Sequence, residues 1–115
     1  MDPIYKIMSA RAWQDFRESG TFAGTDQDRA DGYIHFSTAA QLAETLFKHY
    51  RARTGLVLLA IDMARLDPHA LRLEPARGGQ LFPHLYAPLR LDAVLQTALL
   101  ACGPDGRHIL PDFVR

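Results

Sequence analysis

The run Leu56-Val57-Leu58-Leu59-Ala60-Ile61, set between Gly55 and Asp62, constrains this chain more than any other segment. Six apolar residues of strand length, with no polar interruption, predict a central strand covered on both faces, because alternate side chains of a strand point to opposite sides. Such a strand needs apolar cover twice over. At 115 residues with 48% hydrophobic content, the chain can build one core of this kind and not two, so a single domain over residues 1–115 is expected.

The flanking segments supply the cover. Residues 4–8 read as a strand, and Ser9 is placed to cap a helix through Ser19, with Ala12, Trp13 and Phe16 on one face and Gly20 as its stop. Residues 20–32, rich in Gly, Thr and Asp, read as a long loop that could serve as a lid or substrate loop. Thr38 with Gln41 three residues on is a capping-box pattern, opening a second helix that carries Leu42, Leu46, Phe47 and Tyr50. Residues 63–68 read as a tight turn or one helical turn. Residues 71–74 alternate as a half-buried strand with Arg72 and Glu74 on the polar side, and 81–85 form a strand interrupted or edged by Pro83. Residues 94–102 are read as strand in preference to a helix over 92–100, because they run into the Gly103-Pro104-Asp105-Gly106 turn. The fold class is α+β: two main helices, both near the amino-terminal half, packed on a mixed, mostly antiparallel sheet.

Charge narrows the partners. Thirteen Lys and Arg balance thirteen Asp and Glu, so the formal net charge of +0 gives no electrostatic case for nucleic acid or membrane as an obligate partner and leaves only local basic pockets open. The lone Cys102 cannot form an intramolecular disulfide and fits a reducing compartment. There is no export-type leader at the amino end and no apolar run of about 18 residues, which predicts a cytoplasmic protein without a membrane partner.

Two segments hold the reactive side chains. In Tyr33-Ile34-His35-Phe36-Ser37-Thr38, strand alternation points His35 and Ser37 one way, and Ile34 and Phe36 the other. His35 can give or take a proton near neutrality, and Ser37 and Thr38 stand where a helix amino end can hold an anion. The second segment, residues 74–86, packs Glu74, Arg77, Gly78, Gly79, His84 and Tyr86 together. Arg77 offers a planar fork for phosphate, the glycines let backbone approach a ligand, and Phe82, His84 and Tyr86 share a face. The five histidines are scattered without HxxxH or HExxH spacing, so no metal is expected. Phosphate-loop, dinucleotide-glycine and GxSxG patterns are absent.

The runs DGYIHFSTAAQLAETLFKHY, LVLLAID and EPARGGQLFPHLYAPLRLDAV resemble DUF952, a family of small bacterial proteins of unknown function, over nearly the whole chain. That resemblance implies a distant relation to the ADP-ribosyltransferase fold, a split, mostly antiparallel pair of sheets around NAD⁺, and to RNA 2′-phosphotransferases. It places His35, Ser37 and Thr38 in the cleft, with Lys6 after Tyr5 where relatives carry histidine or arginine.

The expectation is an enzyme-like protein that binds NAD⁺ or another nucleotide phosphate. His35, His84 and Glu74 would be catalytic, and Lys6, Ser37, Thr38, Arg77, Gly78, Gly79 and Tyr86 would bind substrate. The alternatives are a non-catalytic interaction module, in which Arg77 pairs with Glu74, and a metal-dependent hydrolase.

Overall fold

The computed structural model describes residues 2–114. Along the chain run β1 (Ile4–Ser9), α1 (Ala10–Ser19), β2 (Thr21–Phe22), α2 (Asp26–Asp31), β3 (Ile34–His35), α3 (Ala39–Tyr50) and β4 (Leu56–Ile61). Then follow β5 (Leu71–Pro75), β6 (Leu81–Leu85), β7 (Leu89–Arg90), β8 (Val94–Leu99), β9 (Ala101–Cys102) and β10 (His108–Ile109). Every strand pair among the described residues is antiparallel, so the class is α+β as expected.

β4 is the centre of a sheet ordered β1–β4–β8, and all six of its residues are buried. Its two faces feed two cores. Val57, Leu59 and Ile61 pack with Ile4, Met8, Phe16, Ile34, Phe36 and Leu85, whereas Leu56, Leu58 and Ala60 pack with Tyr5, Ile7, Leu42 and Leu46. One face is therefore covered by α1 and the second sheet, and the other by α3. Each large aliphatic side chain so enclosed contributes about 1.5–3 kcal/mol of transfer free energy.

The second sheet is ordered β3–β6–β5. β6 is thus its middle strand, and the expectation that Pro83 marks an edge is corrected. Proline is tolerated there because its missing N–H falls where β3 ends. Phe36 N–H donates to Pro83 O at 3.0 Å, and proline cannot return the bond. The chain instead crosses to the first sheet, where Ser37 and Tyr5 exchange backbone bonds of 3.0 and 2.8 Å. Pro83 thereby cuts β3 short and ties the two sheets together beside His35.

The 20–32 loop is likewise corrected, since it contains β2 and a third helix, α2. Thr25 caps α2 by accepting from Asp28 N–H at 3.1 Å, and the Asp28 carboxylate accepts from Thr25 N–H at 2.9 Å. In β5 the burial is reversed from a simple polar face: Leu73 is 61% exposed, while Glu74 is partly covered. Ser9 and Gly20 cap α1, and the 103–106 turn joins β9 to β10, both as the sequence predicts.

Candidate functional site

Antiparallel pairing of β3 with β6 sets His35 directly opposite His84. Residues paired in this way share a face, and the two imidazoles meet with ring centroids 5.4 Å apart at 71°. Each has its own carboxylate. His35 Nδ1 lies 2.6 Å from Asp28 Oδ1, and Nε2 lies 3.0 Å from Asp31 Oδ2. The first of these contacts is a hydrogen bond, and the second brings a further carboxylate within reach of the ring. His84 Nδ1 lies 3.0 Å from Glu74 Oε1, which also accepts from the Tyr86 hydroxyl at 2.6 Å. With Nδ1–H given to Glu74, His84 Nε2 keeps its lone pair, and this atom is buried without a hydrogen-bond partner. Two imidazoles with separate carboxylates thus share one face, and one of them keeps a buried nitrogen unpartnered.

Tyr33 covers this pair. Its ring stacks on His84 at 4.1 Å and 27°, and lies 4.7 Å from His35 and 5.2 Å from Tyr86. Tyr33 thus covers one face of the His84 ring, and His84 is 2% exposed.

Behind His35 stands a buried ion pair. Lys6 Nζ lies 2.8 Å from Asp28 Oδ2 and donates to His35 O at 2.9 Å. Burial alone would push the Asp28 carboxyl up. The His35 hydrogen bond, the Lys6 charge and hydrogen bond, and the Thr25 N–H outweigh it, and hold Asp28 far below the usual carboxylate range. The Tyr86 hydroxyl, and then His84, lower the Glu74 carboxyl, while the bond to Glu74 raises the Tyr86 phenol.

The expected site residues therefore fall into three groups. His35, His84, Glu74 and Tyr86 come together. Lys6 lies behind them, facing the protein interior rather than a ligand. Arg77 and Ser37 form a separate polar group: Arg77 Nη2 donates to Thr45 Oγ1 at 3.2 Å, and Ser37 Oγ lies 3.1 Å from the same oxygen. Arg77 faces Glu44, 3.3 Å from its Nε, and not Glu74, the partner that the interaction-module alternative gave it. Its guanidinium carbon sits 4.9 Å from the centre of the Phe82 ring. Phe82 stands two positions before His84 in β6, so this group lies about 7 Å along that strand from the histidines.

Thr38 serves α3, its N–H donating to Gln41 Oε1 at 3.0 Å. Gly78 and Gly79 take φ of 64° and 75°, a turn that favours glycine, with open space where a Cβ would stand. An open groove of about 790 Å³ lies elsewhere, between α1, the 21–29 segment and Tyr50, Arg53 and Leu56.

Asp28, Asp31 and Tyr33 escaped the sequence reading. A signal existed for two of them. Thr25-x-x-Asp28 is a capping box written with aspartate, and Tyr33 shares the two-residue spacing of His35 and Ser37.

Fold and site together define a small antiparallel α+β protein with two carboxylate-supported histidines facing each other across adjacent strands. The model of the family described as "Protein of unknown function (DUF952)" matches residues 7–97, and the chain belongs to that family. A crystal structure of protein CC0527 from Caulobacter crescentus is 41% identical, with 97% of each chain covered and a TM-score of 0.91. A solution NMR structure of CC0527 is 42% identical over 93% of this chain and 91% of that one, with a TM-score of 0.82. Among curated proteins no match was found.

Proposed function

We propose that the protein binds a nucleotide phosphate, with NAD⁺ or an ADP-ribose derivative as the leading candidate, and catalyses a transfer reaction on it. The observation that carries this reading is the His35–His84 pair: two imidazoles 5.4 Å apart, one bonded at Nδ1 to Asp28 with Asp31 near its Nε2, and the other with a buried, unpartnered Nε2. In such a site His84 Nε2 takes the proton of an attacking hydroxyl and His35 protonates the leaving group. Glu74 orients His84 and Asp28 orients His35, as a carboxylate fixes the tautomer of a catalytic histidine. Tyr33 and Tyr86 supply flat surfaces for a base or ribose, and Arg77 with Thr45 and Ser37 supplies donors for a phosphate further along the sheet. The split into two antiparallel sheets supports the distant relation to the ADP-ribosyltransferase fold. The single thiol of Cys102 supports a cytoplasmic setting.

Calorimetry with NAD⁺, ADP-ribose and nucleoside phosphates tests the reading. Millimolar or tighter binding that weakens at least tenfold in both His84→Asn and Arg77→Ala is expected. Absence of binding at millimolar ligand, or binding indifferent to both changes, would overturn it. The second reading, a non-catalytic interaction module, is favoured by one observation: Tyr33 covers His84 while Glu44 and Thr45 already occupy Arg77. Turnover of a bound ligand distinguishes the two.

A further inference from the structure

The carboxyl end of α3 gathers positive charge that the balanced composition conceals. Arg51 and Arg107 place their guanidinium carbons 4.8 and 4.1 Å from the centre of the same Phe47 ring, and Arg53 places its own 5.0 Å from that of Tyr50. Among the described residues, Arg51 and Arg53 have no carboxylate partner. Arg51 makes one long bond of 3.5 Å, to the Asp105 backbone oxygen, and the Arg107 ion pair to Asp105 is also long at 3.6 Å. Lys48 stands one turn earlier, but its partner Glu44 is shared with Arg77, so one carboxylate serves two cations.

The backbone is specialised at the same place. Ala52, between Arg51 and Arg53, is the one non-glycine residue with positive φ among the described residues, at 63°. A β-carbon in this region is strained, and such strain persists where the surroundings enforce it. Here Ala52 N–H donates to Gly106 O at 2.9 Å, which docks the β9–β10 turn on the end of α3. That docking brings Arg107 to the ring already held by Arg51, and it sends Arg53 to a different ring.

A helix carboxyl end favours cations, which accounts for Lys48 and His49 in its last turn. It does not account for arginines that bond no helix carbonyl and pair two positive charges on one phenyl ring. Guanidiniums held over aromatic rings are partly ordered before any partner arrives, and their remaining N–H groups can fork a phosphate.

We propose that Arg51, Arg53 and Arg107, with Lys48 beside them, bind the phosphodiester backbone of a single-stranded nucleic acid. Arginine edges suit phosphate oxygens, and three or four cations suffice for a short stretch of strand. Attachment to an anionic membrane draws on clusters of about four to eight basic residues beside a membrane-spanning helix or along an amphipathic one, whereas these cations come from a helix end and from the turn between β9 and β10. The surface is independent of the histidine site, so each can fail alone.

The test is fluorescence anisotropy of the full chain with a labelled single-stranded oligonucleotide at low salt. Binding is expected to fall at least tenfold in Arg51→Gln/Arg107→Gln and severalfold in Arg53→Gln. It should change less than twofold in Arg65→Gln/Arg90→Gln, which removes the same charge from a surface that Arg51, Arg53 and Arg107 do not line. With about three phosphates neutralised, the slope of log K against log salt should be about −2 and become shallower in the variants. Circular dichroism of each variant verifies the fold, and Arg53→Gln, which breaks no hydrogen bond, keeps the test open if the double variant unfolds. No wild-type binding at low salt, or equal losses in the Arg65→Gln/Arg90→Gln control, would overturn the proposal. So would tighter binding to phosphatidylserine vesicles than to the oligonucleotide, with the same arginine dependence.

Discussion

Lys6 Nζ and Asp28 Oδ2 lie 2.8 Å apart with side chains 5% and 2% exposed, and this buried pair is the mounting of His35. Asp28 touches His35 twice, at the ring Nδ1 and at the backbone N–H, while Lys6 holds His35 O. A residue that looks like a ligand-binding lysine is thus a support for the group in front of it.

Removing one partner strands the other. Lys6→Met leaves Asp28 buried with less compensation, and breaking a buried pair from one side costs about 3–5 kcal/mol. Urea unfolding should show a loss in that range, and a loss below about 1 kcal/mol would mean that water reaches Asp28.

The same carboxylate sets the acid limit of the fold. Asp28 is held well below its ordinary value by His35, Lys6 and Thr25 against the cost of burial. A carboxyl depressed in the folded state stabilises wherever the unfolded carboxyl is ionised. That contribution is intact above the ordinary value of about 4 and fades as pH falls below it toward the folded value. The unfolding midpoint should hold from pH 7 to 5 and drop below about pH 4. Asp28→Asn should start lower and lose less in that acid window. A parallel fall in both proteins would assign acid sensitivity to other carboxylates.

Much of this arrangement was legible in the sequence, and the gaps have physical causes. The apolar run of β4 announced two covered faces, whereas the two-residue alternation from His35 to Ser37 runs past the end of β3, and the two side chains meet different partners, Asp28 and Thr45. Pairing register was not legible. That His35 falls opposite His84 depends on where β6 meets β3, which no local pattern encodes. Pro83 reads as an edge marker by itself, and its placement in a middle strand depends on β3 ending beside it. Asp28 was hidden because a six-residue helix carries too few residues to show periodicity, so only its cap could reveal it.

His84 should be a residue whose loss costs function more than stability. Its Nε2 is buried without a partner, and such a group carries a desolvation cost of about 1–3 kcal/mol. His84→Phe removes that cost and keeps a flat ring beneath Tyr33, while Tyr86 still bonds Glu74. Thermal unfolding should therefore place the variant within about 1 kcal/mol of the wild type, or above it, while binding of the nucleotide probe is lost. A loss of more than about 2 kcal/mol would show that the Glu74 bond is structural first.

Gly24 offers a way to disturb His35 without touching it. Its φ is 114°, and a Cβ built there would lie 2.7 Å from the Asp28 Cβ, closer than carbon atoms approach. Gly24→Ala must push Asp28 away, and with it the acceptor that His35 Nδ1 uses at 2.6 Å. Gly78→Ala is the matched control, because Gly78 also has positive φ, at 64°, yet has open space where its Cβ would go. Both variants pay backbone strain of about 1–2 kcal/mol. Only Gly24→Ala should also shift the His35 imidazole resonances in a nitrogen-15 NMR spectrum and weaken ligand binding. Equal spectra for the two variants would show that Asp28 yields without moving His35, and that the buried pair is a softer mounting than its distances imply.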